Sequence, residues 1–195
     1  MFYEICRSLV RGLIFVMYRL KTEGLEHIPS SGPVILCSNH LSNLDPVFLA
    51  APLNRRVHYM AKMELFSIPV LSWLIVKLGA FPVNRGGVSK NSIRTALQLL
   101  SEGKVLGIFP EGTRGKMSGV GKKGAASLAL KSGAAVIPVA IIGNYRPFRR
   151  MKILYGPPLD MSGFADGSSE SLEKATDLIM STIRHLCEYQ TLTKR

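Results

Sequence analysis

The run Ser38-Asn39-His40-Leu41-Ser42-Asn43-Leu44-Asp45-Pro46 sets an imidazole and a carboxylate five residues apart. A neutral imidazole can take a proton from a hydroxyl when its other nitrogen is held and polarised, and a carboxylate at this spacing can reach back to do so. Pro46 suits the first turn of a helix expected over Pro46 to Leu53, which would make Asp45 its N-cap. Chance gives such a spacing in about one chain in ten of this composition, so the pair defines a site only in company. His27 and His58 lack a comparable partner and His185 falls in a C-terminal helical pattern, so all three read as ordinary histidines.

Other segments carry chemistry of their own. Ile108-Phe109-Pro110-Glu111-Gly112-Thr113-Arg114-Gly115 places the Glu111 carboxylate and the Arg114 guanidinium three residues apart on a glycine-rich turn after an apolar strand. Gly112 to Gly124 holds five glycines and four cations, Arg114, Lys116, Lys122 and Lys123, a basic loop suited to an anionic headgroup. It is not a nucleotide P-loop, because Gly119-x-x-x-x-Gly124 leads into Ala125 rather than into Lys and Ser or Thr. Ser38 or Ser42 beside His40 would suggest a hydrolase, but no Gly-x-Ser-x-Gly elbow accompanies them.

Short apolar runs at Pro33 to Cys37, Val57 to Ala61, Ala80 to Val83, Val105 to Phe109, Ala135 to Ile142 and Ile153 to Tyr155 read as buried strands. Between them, Lys90 to Ser101 carries Ile93, Ala96, Leu97 and Leu100 at helical spacing, Ala125 to Lys131 forms a short helix ended by Gly133, and a last helix runs to about Tyr189. Ile68 to Leu78 is helical and apolar on nearly every side, so it is either lipid-facing or buried, as a core helix or the wall of an apolar groove. Alternation of strand and helix predicts a single-domain α/β sandwich, its largely parallel sheet flanked by helices, and mixed because the link after Ile142 is too short for a parallel crossover. His40 then lies just past a strand end, where open α/β sheets place their chemistry. Lys62, Asn84-Arg85 and Glu111 leave strand ends in the same manner.

Taken together in order, His40-x-x-x-x-Asp45, Gly79-Ala80-Phe81-Pro82-Val83-Asn84-Arg85, the Ile108 to Gly115 block and Ala135-Val136-Ile137-Pro138-Val139-Ala140 resemble the glycerolipid acyltransferase family over about residues 25 to 160. The resemblance implies transfer of a fatty acyl group from a thioester, on acyl-carrier protein or coenzyme A, to the free hydroxyl of lysophosphatidic acid, with phosphatidic acid as product. It implies His40 as general base and Asp45 as the residue that orients it. Lys62, Arg85, Glu111, Gly112, Thr113 and Arg114 become candidates for substrate binding, Arg85 and Arg114 as phosphate contacts. Family members often carry an acid where this chain has Asn84, so Asn84 is not charged machinery. An acyl thioester is already activated, so the mechanism needs no cofactor and no metal. Acylation of glycerol-3-phosphate or another lysophospholipid, and a non-catalytic basic membrane binder, are the rival readings.

Of 195 residues, 25 are Lys or Arg and 13 are Asp or Glu, a formal charge of +12 that calls for an anionic partner. Apolar residues make up 47% and charged ones 19%, which suits an anionic membrane surface better than nucleic acid. Cys6, Cys37 and Cys187 are too scattered for a disulfide framework or a zinc site. Near the N-terminus, the stretch Leu9 to Leu20 is too short and too charged to span a bilayer. Helical spacing gathers Phe2, Ile5, Leu9, Leu13, Val16 and Leu20 on one side against Arg7, Arg11 and Tyr18, giving an amphipathic helix that either docks on the core or lies in a membrane interface. The expected organisation is an interface helix at 1–22 and an acyltransferase domain at 23–195, peripheral to the cytoplasmic face of the cell membrane.

Overall fold

A computed structural model of the chain describes residues 2–83, 90–112 and 123–192, with side chains from Arg7 to Glu188. Helix α1 (Phe2–Tyr18) leads into β1 (Lys21–Glu23), β2 (Val34–Ser38), α2 (Asp45–Ala50), β3 (Val57–Lys62), α3 (Pro69–Lys77), β4 (Ala80–Val83) and α4 (Lys90–Ser101). Then follow β5 (Val105–Ile108), α5 (Gly124–Ser132), β6 (Ala135–Gly143), β7 (Met151–Tyr155) and α6 (Ser169–Leu192). The strands form one sheet in the order β1-β7-β6-β2-β5-β3-β4. Every neighbouring pair is parallel except β6 and β7, which the short link after Ile142 had required to be antiparallel.

Strand alternation divides the core into two layers. Val34 and Leu36 of β2, with Ile137, Val139 and Ile141 of β6, pack against Phe48 and Leu49 of α2 and Ile14 of α1. Ile35 and Cys37 face the other way, onto Ala96 and Leu100 of α4, Ala126 and Ala129 of α5, and Ala175 and Ile179 of α6. All five residues of β2 are buried, as befits a central strand covered on both faces. The helical spacing read for α4 is the one that buries Ala96 and Leu100, and Gly133 ends α5 in the left-handed region at φ +62°.

Three elements resolve or add to what was expected. Lys21-Thr22-Glu23 pairs in parallel with β7 and its Glu23 carboxylate accepts a 2.6 Å ion pair from Lys152; as a polar edge strand it carries no hydrophobic signal. Helix α1 does dock on the core, but through Val10, Ile14, Phe15 and Tyr18, while Leu9, Leu13 and Val16 of the predicted apolar face point outward. Helix α3 buries none of its residues, and Val70 is 81% exposed. Uniform hydrophobicity has no direction to read, so the sequence could not say that α3 lies on the surface rather than in the core.

What places the site is the way β2 leaves the sheet. Its ladder with β6 ends at the Ser38–Val139 pair, and the Asn39 carboxamide carries it one step further. The amide donates to the Ile141 carbonyl at 2.9 Å and its oxygen accepts from the Ile141 N–H at 2.8 Å. A side chain thereby satisfies strand β6, and the main chain is free to turn away at His40. Asn39→Asp replaces the donor with a second acceptor and buries a charge, so unfolding free energy measured in urea should fall by about 2 kcal/mol or more; an unchanged midpoint and slope would show that Asn39 does not hold this junction.

Candidate active site

Five side chains, His40, Asp45, Phe109, Glu111 and Tyr145, converge at the carboxyl edge of β2, β5 and β6. His40 follows β2 by two residues, and its Nδ1 lies 2.6 Å from Asp45 Oδ2. The same oxygen accepts the backbone N–H groups of Leu41 at 2.6 Å and Ser42 at 2.8 Å. The other oxygen, Oδ1, accepts the hydroxyl of Tyr145, which follows β6. Asp45 is fully buried, and these four donors replace the water it has lost. Asp45 is the first residue of α2, with Leu44 as the capping residue, so the expectation that Asp45 caps the helix is corrected. Its side chain turns back to the preceding loop, because His40 and two backbone N–H groups there make a stronger claim on it than the helix terminus.

An ionised Asp45 fixes the tautomer of His40. Nδ1 must carry the proton, and the lone pair of Nε2 is left for chemistry; among the described residues no hydrogen bond occupies Nε2. The imidazole is 19% exposed against 0% for its partner, so a substrate can reach one and not the other. Phe109 stacks on the ring with centroids 4.3 Å apart, and Tyr59 continues the stack at 6.4 Å from Phe109. Gly107 makes room for this arrangement, since a Cβ there would stand 2.2 Å from the Tyr59 ring.

Glu111 lies within a turn closed by the Gly112 N–H donating to the Phe109 carbonyl at 3.0 Å, with Gly112 in the left-handed region at φ +68°. Burial raises the Glu111 carboxyl above the ordinary carboxylate range, and Asp45 adds to this, while His40, its backbone N–H and the Arg184 guanidinium offset it only in part. Its Oε2 is buried with no hydrogen-bond partner among the described residues. Lys62 is exposed at the end of β3, separated from β2 by β5 and so about 10 Å across the sheet from the histidine strand. Arg85, Thr113 and Arg114 lie outside the described residues.

Sequence reading did not assign roles to Asn39, Tyr145 or the Phe109 ring. Asn39 adjoins His40, but an amide that completes a ladder is visible only once β6 is known to be the neighbour. Tyr145 stands 100 residues from Asp45, beyond the reach of any local pattern. The hydrolase alternative fares poorly: Ser38 is buried with its hydroxyl on the Asn39 carbonyl oxygen, and the Ser42 hydroxyl accepts the Leu44 N–H.

A strand-end histidine held by a buried carboxylate is equipped for acid–base chemistry, and comparison with known proteins gives the chain a family. Residues 19–142 match the Acyltransferase family model, so the chain belongs to the acyltransferase family. Among its relatives is the 1-acyl-sn-glycerol-3-phosphate acyltransferase of Bacillus subtilis (strain 168), 31% identical over 191 residues, which are 94% of this chain and 96% of the relative. The enzyme of the same name from Streptococcus pneumoniae is 29% identical over 96% of this chain and 74% of its own. The crystal structure of the 1-acyl-sn-glycerophosphate (LPA) acyltransferase from Thermotoga maritima superposes with a TM-score of 0.71 at 26% identity, covering 94% of this chain and 80% of that one.

The Glu111 environment has a thermodynamic consequence. A carboxyl whose pKa is higher folded than unfolded binds more protons folded between those two values, so stability falls as pH rises through that window and stays lowered above it. Glu111→Gln should therefore raise Tm over wild type at neutral pH, with the difference closing as pH drops below the ordinary carboxylate range. Calorimetry across that range decides; an equal gain in acid and at neutrality would assign it to packing instead.

Proposed function

We propose that the protein transfers a fatty acyl group from an acyl thioester to the free hydroxyl of 1-acyl-sn-glycerol-3-phosphate, forming phosphatidic acid for phospholipid synthesis. The observation that carries this reading is the Asp45-held His40, its imidazole partly exposed at the sheet edge of an acyltransferase-family chain. Nε2 accepts the hydroxyl proton as the acceptor oxygen bonds to the thioester carbonyl carbon. Charge that builds on the imidazolium is balanced by Asp45. Collapse of the tetrahedral intermediate breaks the carbon–sulfur bond, and the imidazolium returns its proton to the departing thiolate. Neither a covalent acyl-enzyme nor a metal is needed, because the thioester is activated on arrival.

In this reading Arg85 and Arg114, together with Lys62, clamp the acceptor's phosphate as charge-assisted donors. Thr113 and the Gly112 backbone complete that cradle. Glu111, acceptor-only when ionised, holds Arg114 or the acceptor's polar groups rather than the phosphate itself. The donor is acyl-carrier protein or acyl-coenzyme A.

The acceptor lives in a bilayer, and among the described residues no helix is long and apolar enough to cross one. Peripheral, monotopic attachment to the cytoplasmic leaflet fits two outward surfaces. Helix α1, within the interface element 1–22 that precedes the acyltransferase domain 23–195, offers Leu9, Leu13 and Val16, 60% to 73% exposed; Arg11, also exposed, stands on the opposite side of the helix. Helix α3 offers Val70, Trp73 and Val76, with an indole suited to the headgroup level.

With labelled acyl thioester and lysophosphatidic acid, wild type should yield phosphatidic acid. His40→Ala should lower the rate by about a hundredfold or more with the fold intact, and Asp45→Asn should lower it strongly. Substantial turnover by folded His40→Ala would sink the base assignment. For attachment, Leu13→Gln with Val16→Gln should weaken binding to anionic vesicles without lowering Tm, and salt should weaken the remaining binding further without abolishing it. Undiminished sedimentation with vesicles would move attachment away from α1.

A further inference from the structure

Between Gly143 and Arg150 the chain runs over the surface, and Tyr145 is the one residue of the segment that is not exposed. Its ring sits among aromatic neighbours: Phe48 at 4.9 Å and 82°, and Tyr18 at 6.3 Å and 67°. Tyr18 also meets Phe48 edge-on at 5.1 Å. Tyr18 is the last residue of α1, and one residue earlier the Met17 carbonyl accepts the Phe148 N–H from the Tyr145 loop. The loop is thus fastened at two points, one of them the end of the N-terminal helix. At the tip of the fastened side chain, the hydroxyl donates to Asp45 Oδ1, the oxygen that His40 does not use.

We infer that Tyr145 is a positioning residue of the His40–Asp45 pair and that Tyr18 holds it there, so that α1 is a structural part of the active site as well as a membrane contact. This rests on the reading of His40 as the base. Edge-to-face packing against Phe48 and Tyr18 leaves the Tyr145 ring one orientation, and that orientation aims its O–H at Asp45. The bond locks the carboxylate plane that His40 Nδ1 must meet. It also draws negative charge towards Oδ1 and away from the oxygen that meets His40. Burial and the Asp45 hydrogen bond raise the phenol far above its ordinary range, so Tyr145 remains a donor at every pH the enzyme meets. Around His40 the other groups are the Glu111 carboxylate from the β5 side, with Arg184 of α6 behind it, and the Tyr18 hydroxyl behind Tyr145.

The test compares full-length variants on acyl thioester and lysophosphatidic acid in anionic vesicles, with pH-rate profiles, vesicle sedimentation and thermal melts. Tyr145→Phe removes a hydrogen bond to a charged group, so kcat should fall about tenfold or more while KM changes little. Charge returned to Oδ2 favours the imidazolium, so the acid limb of kcat/KM should move to higher pH. Tyr18→Ala should shift the same limb in the same direction without loss of vesicle binding, and Tyr18→Phe, which keeps the ring, should recover it. A folded Tyr145→Phe with wild-type kcat and acid limb, beside an inactive His40→Ala, overturns this proposal and leaves the base reading standing. If Tyr145→Phe does not fold, an unmoved limb in Tyr18→Ala overturns it equally. An active His40→Ala removes both readings at once.

Discussion

A carboxylate with no water around it must be satisfied by the protein or not be charged, and Asp45 is the group on which this constraint falls. Its donors come from the histidine loop and from the segment after β6. No single element can supply them, so the carboxylate is satisfied only when β2 and β6 lie side by side and both have released their chains at the same sheet edge. The Asn39 carboxamide, bridging those two strands at Ile141, is what makes the release simultaneous. The ladder that stabilises the sheet therefore ends where the His40–Asp45 pair begins.

The sheet was legible because each central strand is apolar on both sides. Pro33 to Cys37 and Ala135 to Ile142 announce themselves by composition, and the short link to β7 dictated the antiparallel pair. Lys21-Thr22-Glu23 was invisible for the opposite reason, since an edge strand takes its structure from its neighbour and leaves no apolar trace in its own residues. In the site, His40 and Asp45 were legible because they are five residues apart and meet within one loop. Tyr145 and the Phe109 stack were not, because their meaning depends on strand order. The periodicity of α1 left its orientation open: the apolar face, as Leu9, Leu13 and Val16, is turned outward, and the helix docks through Ile14 and Tyr18.

Around the imidazole, polarity is arranged in shells. Phe109 covers one flat face and Tyr59 covers Phe109, a layered stack that Gly107 permits by having no side chain. Asp45 fills the inner edge. Glu111 stands nearby, buried enough for ionisation to be disfavoured. Such a group weakens the folded state at neutral pH, and it does so beside His40. Cys37, although only three residues from the histidine, belongs to none of this: burial pushes its thiol up to about 12, and it serves as a small apolar residue of the inner layer.

Between Tyr18, which ends α1, and Lys21, which opens β1, only Arg19 and Leu20 intervene. Two residues reach about 7 Å when fully extended, and here Leu20 is buried and Arg19 is bent into the left-handed region at φ +42°. A helix lying in a lipid surface would therefore act as a keel on a very short leash. The catalytic edge could neither lift away nor swivel freely, and its height above the leaflet would be set by the depth at which Leu9, Leu13 and Val16 ride. Altering that depth by a single methylene layer would raise or lower the histidine relative to the plane of the glycerol backbones, making the helix a ruler for which hydroxyl of a lipid comes within reach.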